Sequence, residues 1–258
     1  MHSVFEAFAD LAQDPSLVPA LLVISAAGAI RGFAGFGGGM LFIPFGSFLF
    51  EPRVAVVAFF LIDSVVTLPL VRRAFQHWDW HTVLPCALGS WLGVGFGAYI
   101  LATADPLALR WSISAIIIVL VAFMATGWRY RKRPAPLLSV GVGVSSGVLG
   151  GVSQVSAPPL VAFWTSGPLP AEVIRANVIC FFFFATLGSA VAFALNGIFG
   201  AEPIGLALWL APAYGFALFV GARLFGRANE TLFRRAALIM IMVAAVLSMP
   251  LLDPVLRG

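Results

Sequence analysis

The chain has 258 residues, 61% of them hydrophobic and 10% charged, with a formal net charge of +4 and a mean hydropathy of +1.02. Soluble domains carry about 25% charged residues, so charge this sparse cannot cover a water-soluble globule. Apolar runs long enough to cross a bilayer recur from end to end, continuous rather than alternating, which predicts a polytopic all-α membrane protein and argues against a transmembrane barrel.

Residues 1–16 carry Glu6, Asp10 and Asp14 and no Lys or Arg, unlike the basic start of a signal peptide. Ten apolar segments follow, at 17–33, 39–50, 54–71, 80–101, 107–128, 136–150, 154–166, 173–196, 205–226 and 232–251. Most are long enough to span a hydrocarbon core of about 30 Å at about 1.5 Å per residue. Two are not. Met40 to Phe50 and Val155 to Thr165 are eleven residues each, about 16 Å if helical, or half a bilayer.

The pI near 9.7 does not indicate a nucleic-acid partner, because the basic residues sit at segment ends, where topology puts them. With the N-terminus outside and every segment crossing, Arg72, Arg73, Arg129, Arg131, Lys132, Arg133, Arg227, Arg234 and Arg235 fall in cytoplasmic linkers. Arg53, Arg110 and Arg257 fall outside, nine cations against three, which favours both termini on the outer side of a bacterial inner membrane. Trp78, Trp80, Trp128 and Tyr130 lie at cytoplasmic ends, as an aromatic belt does. Cys86 and Cys180 lie within apolar runs and read as buried thiols, with no metal, cofactor or disulfide pattern.

The stretch "GAIRGFAGFGGGMLFIPF", Gly28 to Phe45, holds six glycines and Arg31 inside an apolar region. It overlays "GVSSGVLGGVSQVSAPPL" at an offset of 115, which pairs Gly28, Gly32, Gly35 and Pro44 with Gly143, Gly147, Gly150 and Pro159. "GAYILATADPLALRW" resembles "GARLFGRANETLFRR" at an offset of 124. These echoes divide the chain into an N-terminal repeat, 1–133, and a C-terminal repeat, 134–258, of five segments each within a single membrane domain. An odd number per repeat makes the two inverted, the plan of secondary transporters, in which matched glycine-interrupted segments point to the binding site.

Gly37, Gly38 and Gly39 permit a helix to stop and a half-helix to start near Met40, as a broken or re-entrant helix. Such an N-terminus bares N–H donors and about half a positive charge to an anion. Ser153, Gln154 and Ser156 stand in the second break. The bland alternative is close helix packing, which the spacing of Gly28/Gly32, Gly35/Gly39, Gly89/Gly93/Gly97 and Gly143/Gly147/Gly151 also fits. For the Gly89 series packing is the expected role, because nothing breaks that helix.

"GFAGFGGGMLFIPF" and its weaker echo "GVLGGVSQVSAPPL" resemble the paired glycine-proline motif of the TauE/SafE sulfite exporter family, and the resemblance extends through "LGVGFGAYI" and "VGARLF" over nearly the whole chain. It implies a transporter of sulfite, sulfonates or related small organic anions. The second motif departs from the commoner triple glycine, with Val152, Ser153 and Gln154 in its place.

Ionisable residues inside a membrane are costly and therefore candidates for function. Arg31 either binds or attracts the anion, or it snorkels to the cytoplasmic face or caps backbone carbonyls. Arg175 either binds the anion or pairs with Glu172 at the interface, and Asn177, two residues on, is a polar group that needs a partner. Asp63 either carries a coupling proton or forms a structural ion pair. Ser64 and Thr67 are expected to bond back to their own helix. "GVSSG", Gly143 to Gly147, matches a serine-hydrolase turn, but His2, His77 and His81 lie in tail or interface positions and supply no base. The residues therefore predict a carrier for small anions rather than an enzyme, and the resemblance implies that those anions contain sulfur. A proton-coupled uptake carrier for another small organic anion, an anion channel and a transport-inactive scaffold are the alternatives.

Overall fold

The computed structural model describes residues 3–125, 136–165, 169–224 and 230–252. Every regular element among them is helical: α1 Val4–Leu11, α2 Leu17–Ala34, α3 Gly38–Leu49, α4 Pro52–Ala74, α5 Trp80–Thr103, α6 Pro106–Ala125, α7 Pro136–Ser153, α8 Ala157–Thr165, α9 Ala171–Leu195, α10 Ala201–Leu224, α11 Glu230–Leu247, and a final 3-10 turn, Pro250–Leu252. Among the described residues, α4, α5, α6, α9 and α10 are long and apolar enough to cross a membrane, and α2, α3, α7 and α11 carry shorter apolar stretches. The chain is a multi-pass, all-α membrane protein. The ten expected segments are α2 to α11. The two short ones begin at Gly38 and Ala157, and α1 was not anticipated. The "RYRKR" linker with Trp128, Tyr130 and Pro134, and likewise His2, Arg227 and Arg257, lie outside the described residues.

The helices gather into two compact units that do not coincide with residues 1–133 and 134–258. Unit 1 comprises Met1–Ile62, Ala104–Val121 and Ile198–Gly258, and unit 2 comprises Asp63–Thr103 and Ala122–Gly197. Each unit therefore draws helices from both parts of the sequence. In unit 1, α2 packs chiefly on α10; in unit 2, α7 packs chiefly on α5.

Both seams are built by glycine. In unit 2, Gly89, Gly93 and Gly97 of α5 press on the carbonyls of Val140, Val144 and Val148 of α7, and Gly143 and Gly147 press back on those of Cys86 and Ser90. A Cβ at Gly151 would lie 2.7 Å from the Ala98 nitrogen. In unit 1, Gly28 and Gly32 meet the carbonyls of Tyr214 and Leu218, and Gly221 meets that of Ala29. Small residues let helix backbones approach closely where lipid supplies no hydrophobic drive between helices. The spacing of the Gly89 series thus serves packing.

The seams also fix how the two glycine motifs correspond. The contacts of Gly28 with Tyr214, Gly32 with Leu218 and Ala29 with Gly221 map onto Gly147 with Ser90, Gly151 with Val94 and Val148 with Gly97. That match needs a shift of 119 residues for α2 (Gly28 to Gly147) and 124 for α10 (Ser90 to Tyr214). The shift of 119 carries the start and end of α2 (Leu17, Ala34) onto those of α7 (Pro136, Ser153), and the start of α3 (Gly38) onto that of α8 (Ala157). The sequence offset of 115 is therefore one helical turn out of register. Gly35 corresponds to Gln154 and not to Gly150, and Pro44, inside α3, does not correspond to Pro159 in the first turn of α8.

Helix α1 begins with a reciprocal cap. The Ser3 hydroxyl accepts from the Glu6 amide at 3.2 Å, and the Glu6 carboxylate accepts from the Ser3 amide at 2.7 Å. Its Phe8 ring stacks on Trp209 of α10 at 4.7 Å, and the Trp209 indole donates to the Phe8 carbonyl at 2.9 Å. Ser3→Ala is expected to cost about 1 kcal/mol locally. Amide hydrogen exchange should then quicken over Val4–Leu11 and remain unchanged in α10. Arg110, counted from sequence among the outer linker charges, instead lies buried one turn into α6. Its Nη2 donates to the Ser248 carbonyl at 3.2 Å, and its guanidinium sits 5.5 Å from the Phe48 ring centre.

Candidate functional site

The first break lies in unit 1. Gly35 closes α2 with φ +80°, and its amide donates to the Arg31 carbonyl at 2.8 Å. Gly37 leads into α3 with φ +95°. Left-handed backbone of this kind is open to glycine and strained for most residues. Helix α3 then starts at Gly38 with no side chain capping it. The first amide to bond back within the turn is that of Leu41, to the Gly37 carbonyl at 3.3 Å. The amides of Gly38, Gly39 and Met40 are thus the orphan donors of a buried helix N-terminus.

Arg31, 8% exposed, directs Nη1 to the Gly35 carbonyl, so its cation stands at the negative end of α2. Tyr214, on α10, is fully buried. A Cβ added to Gly38 would meet its hydroxyl at 3.1 Å and the Ala27 carbonyl at 3.2 Å. Tyr214 was missed in the sequence because an aromatic residue inside an apolar run carries no local signal. Only the α2–α10 seam brings it to the break.

The second break lies in unit 2 and has different chemistry. Gln154 takes φ +52° at the position that Gly35 occupies in the first. Its amide and its Nε2 both donate to the Gly150 carbonyl, at 2.9 and 2.7 Å. The Ser153 hydroxyl donates to the Leu149 carbonyl at 2.9 Å. Ser156 approaches Gly150, its Oγ 3.5 Å from where a Cβ would stand. Gln154 and Ser156 thus meet at Gly150, and Ser153 bonds back to Leu149. The first turn of α8 holds Pro158 and Pro159, which have no N–H. The three donors of α3 have one counterpart here, the amide of Ala157. No basic residue stands in the last turn of α7, where α2 has Arg31.

Asn177 is fully buried in α9. Its Oδ1 accepts from the Asp79 amide at 2.7 Å, and its Nδ2 has no hydrogen-bond partner among the described residues. Arg175 is exposed on the same helix, so the structure does not bring these two side chains together. Glu172, the alternative partner for Arg175, lies 3.9 Å from His77. Asp63 is half-buried in α4, and its carbonyl accepts from the Thr67 hydroxyl at 2.6 Å, the back-bond expected for Thr67. In "GVSSG", Ser145 is exposed and bonds to the Val142 carbonyl at 2.9 Å, and the flanking glycines serve the α5–α7 seam.

No solved structure matches the chain. It is 28% identical over 231 residues to the probable sulfite/organosulfonate exporter TauE of Cupriavidus necator, covering 84% of this chain and 87% of that protein. The family model for the sulfite exporter TauE/SafE matches residues 20–248, a span that takes in both glycine breaks and both seams. The chain belongs to the TauE/SafE sulfite exporter family.

Proposed function

We propose that this protein is a secondary carrier that moves small sulfur-containing anions, sulfite or an organosulfonate, out across the bacterial inner membrane by alternating access, with both termini outside. The observation that carries this reading is the first break. Three uncapped amides, those of Gly38, Gly39 and Met40, open a buried half-helix, and Arg31 neutralises the helix end that precedes it. A helix N-terminus offers about half a positive charge and convergent donors, which suits an oxyanion. The name of the Cupriavidus relative agrees in substrate class.

Export needs no coupling ion for a monoanion, because a cytoplasm-negative potential favours its exit by about 2.3 kcal/mol per charge per 100 mV. Uptake would need one, and Asp63 is then the proton-carrying candidate. Asn177 Nδ2 adds a buried donor in unit 2, and the exposed Arg175 is assigned to anion capture at the surface of α9.

The test copies one feature of the second break into the first. Gly39→Pro removes a single N–H at a first-turn position, where proline is tolerated, as it is at Pro158. A hydrogen bond to an ion contributes about 1.5–3 kcal/mol, so affinity is expected to fall ten- to hundredfold. Calorimetric titration of purified protein with sulfite, thiosulfate and sulfoacetate reads this directly. Unchanged affinity in a folded Gly39→Pro variant removes the first break as the anion site. Saturable flux in proteoliposomes supports a carrier, whereas unitary currents would replace it with a channel.

A further inference from the structure

We infer that the end of α4 is a docking site for an anionic phospholipid, with Arg72 and Arg73 holding its headgroup. The apolar span of α4 stops at Pro69, and the two arginines follow within about one turn. Val65, Leu68 and Pro69 are exposed, and so are Arg72 and Arg73, whereas Val71 and Ala74 turn inward and are buried. Positions 65, 68, 69 and 72 follow the three- and four-residue spacing of one helix face. An outward apolar stripe thus runs straight into a pair of cations. In a membrane-spanning chain such a stripe faces acyl chains, and the cations beyond it reach the headgroup layer.

The two arginines have no work within the protein. Three of the last four carbonyls of α4 are met by the chain itself, since the amides of Phe75, Gln76 and His77 donate to the carbonyls of Val71, Arg73 and Ala74 at 3.0, 3.2 and 3.1 Å. The helix end therefore makes little demand on an arginine cap. Neither side chain has a hydrogen bond or an ion pair among the described residues. The acids Asp79 and Glu172 stand instead against His81 and His77, at 3.6 and 3.9 Å. Other exposed or half-exposed arginines are engaged: Arg53 lies 3.9 Å from Glu51, and Arg223 lies over the Phe219 ring at 4.1 Å.

The surroundings select the ligand. Beside the arginines the Phe75 ring meets Trp78, Phe183 and Phe184 edge-on, at 5.1, 5.7 and 6.1 Å, which ties the end of α4 to α9. Trp80 stands exposed, stacked on His81 at 3.7 Å. Tryptophan is the residue of the headgroup layer, apolar in body with one polar handle. Guanidinium forks match phosphate oxygens. A free oxyanion would use the cations and leave the stripe idle, whereas a ligand with a phosphate at one end and acyl chains at the other uses both. A zwitterionic lipid brings its own ammonium to a place that already holds two positive charges, so a net anionic headgroup is favoured.

Thermal unfolding of the purified full chain in neutral detergent micelles, with phosphatidylglycerol, phosphatidylcholine or glycerol phosphate added, tests the inference. Phosphatidylglycerol is expected to raise Tm saturably and well above phosphatidylcholine, by mass action on the folded state. Glycerol phosphate, which carries the headgroup chemistry without acyl chains, should leave Tm unchanged. Each cation near an anionic lipid surface strengthens binding about fivefold. Arg72→Gln combined with Arg73→Gln should therefore raise the phosphatidylglycerol concentration needed for half of the shift by about tenfold or more. Arg223→Gln should leave that midpoint where it is. Equal Tm in the two lipids, or an unchanged midpoint in the double variant, overturns the inference. A shift reproduced by glycerol phosphate also overturns it, and makes the two arginines a site for free oxyanions.

Discussion

Gly93→Ala is expected to destabilise unit 2 by about 1–3 kcal/mol, whereas Gly95→Ala, two residues on, is expected to be neutral or mildly stabilising. A Cβ at position 93 would run into the Val144 carbonyl and lie 2.8 Å from the Val148 nitrogen. Both are backbone atoms of α7, so relief requires the two helices to separate. Separation would open the contacts of Gly89, Gly97, Gly143, Gly147 and Gly151 as well, since they share the seam. Gly93→Leu should therefore prevent recovery of folded protein. Gly95 faces outward with nothing within 4 Å of an added Cβ. There alanine gains about 0.5–1 kcal/mol of helix preference. Thermal unfolding of the two alanine variants decides the matter, and equal Tm values would contradict the close seam.

Arg31→Gln is expected to weaken sulfite binding at least tenfold, with a smaller loss for Arg31→Lys. A partly buried cation at a helix C-terminus contributes up to about 2 kcal/mol, a factor of roughly thirty. Its removal leaves the negative end of α2 uncompensated beside the donors of α3. Titration of both variants beside wild type measures the difference. Wild-type affinity in Arg31→Gln would reduce Arg31 to a fold-stabilising cap.

Local chemistry was legible in the sequence, and nonlocal packing was not. The half-helix after Gly37 showed itself because triple glycine in an apolar run has few other uses. Its start moved from Met40 to Gly38, within the usual blur of a helix end. The register of the repeat slipped by one turn for a physical reason. Seam glycines recur every four residues, so glycine falls on glycine at a shift of either 115 or 119, and only the seam contacts separate the two. The α1 cap was readable as Ser-x-x-Glu at Ser3 and Glu6, but eight residues carry little apolar periodicity. The acceptor role of Asn177 was hidden because Asp79 is 98 residues away along the chain. Tyr214 at the first break and the buried Arg110 were hidden by the same kind of distance, as Arg110 bonds 138 residues ahead.

The pairing of α2 with α10 bears on biosynthesis. At about 5–20 residues per second, α10 leaves the ribosome roughly ten to forty seconds after α2. Through that interval the glycine face of α2 has no native neighbour, and α3 waits with it. Helix α7, by contrast, follows its partner α5 with only α6 between them and can dock soon after it is inserted. The nascent protein therefore completes its middle before its beginning, and the break assigned here to the anion is finished last. A chain cut short before Ala201 would present α2 and α3 without the helix that closes them.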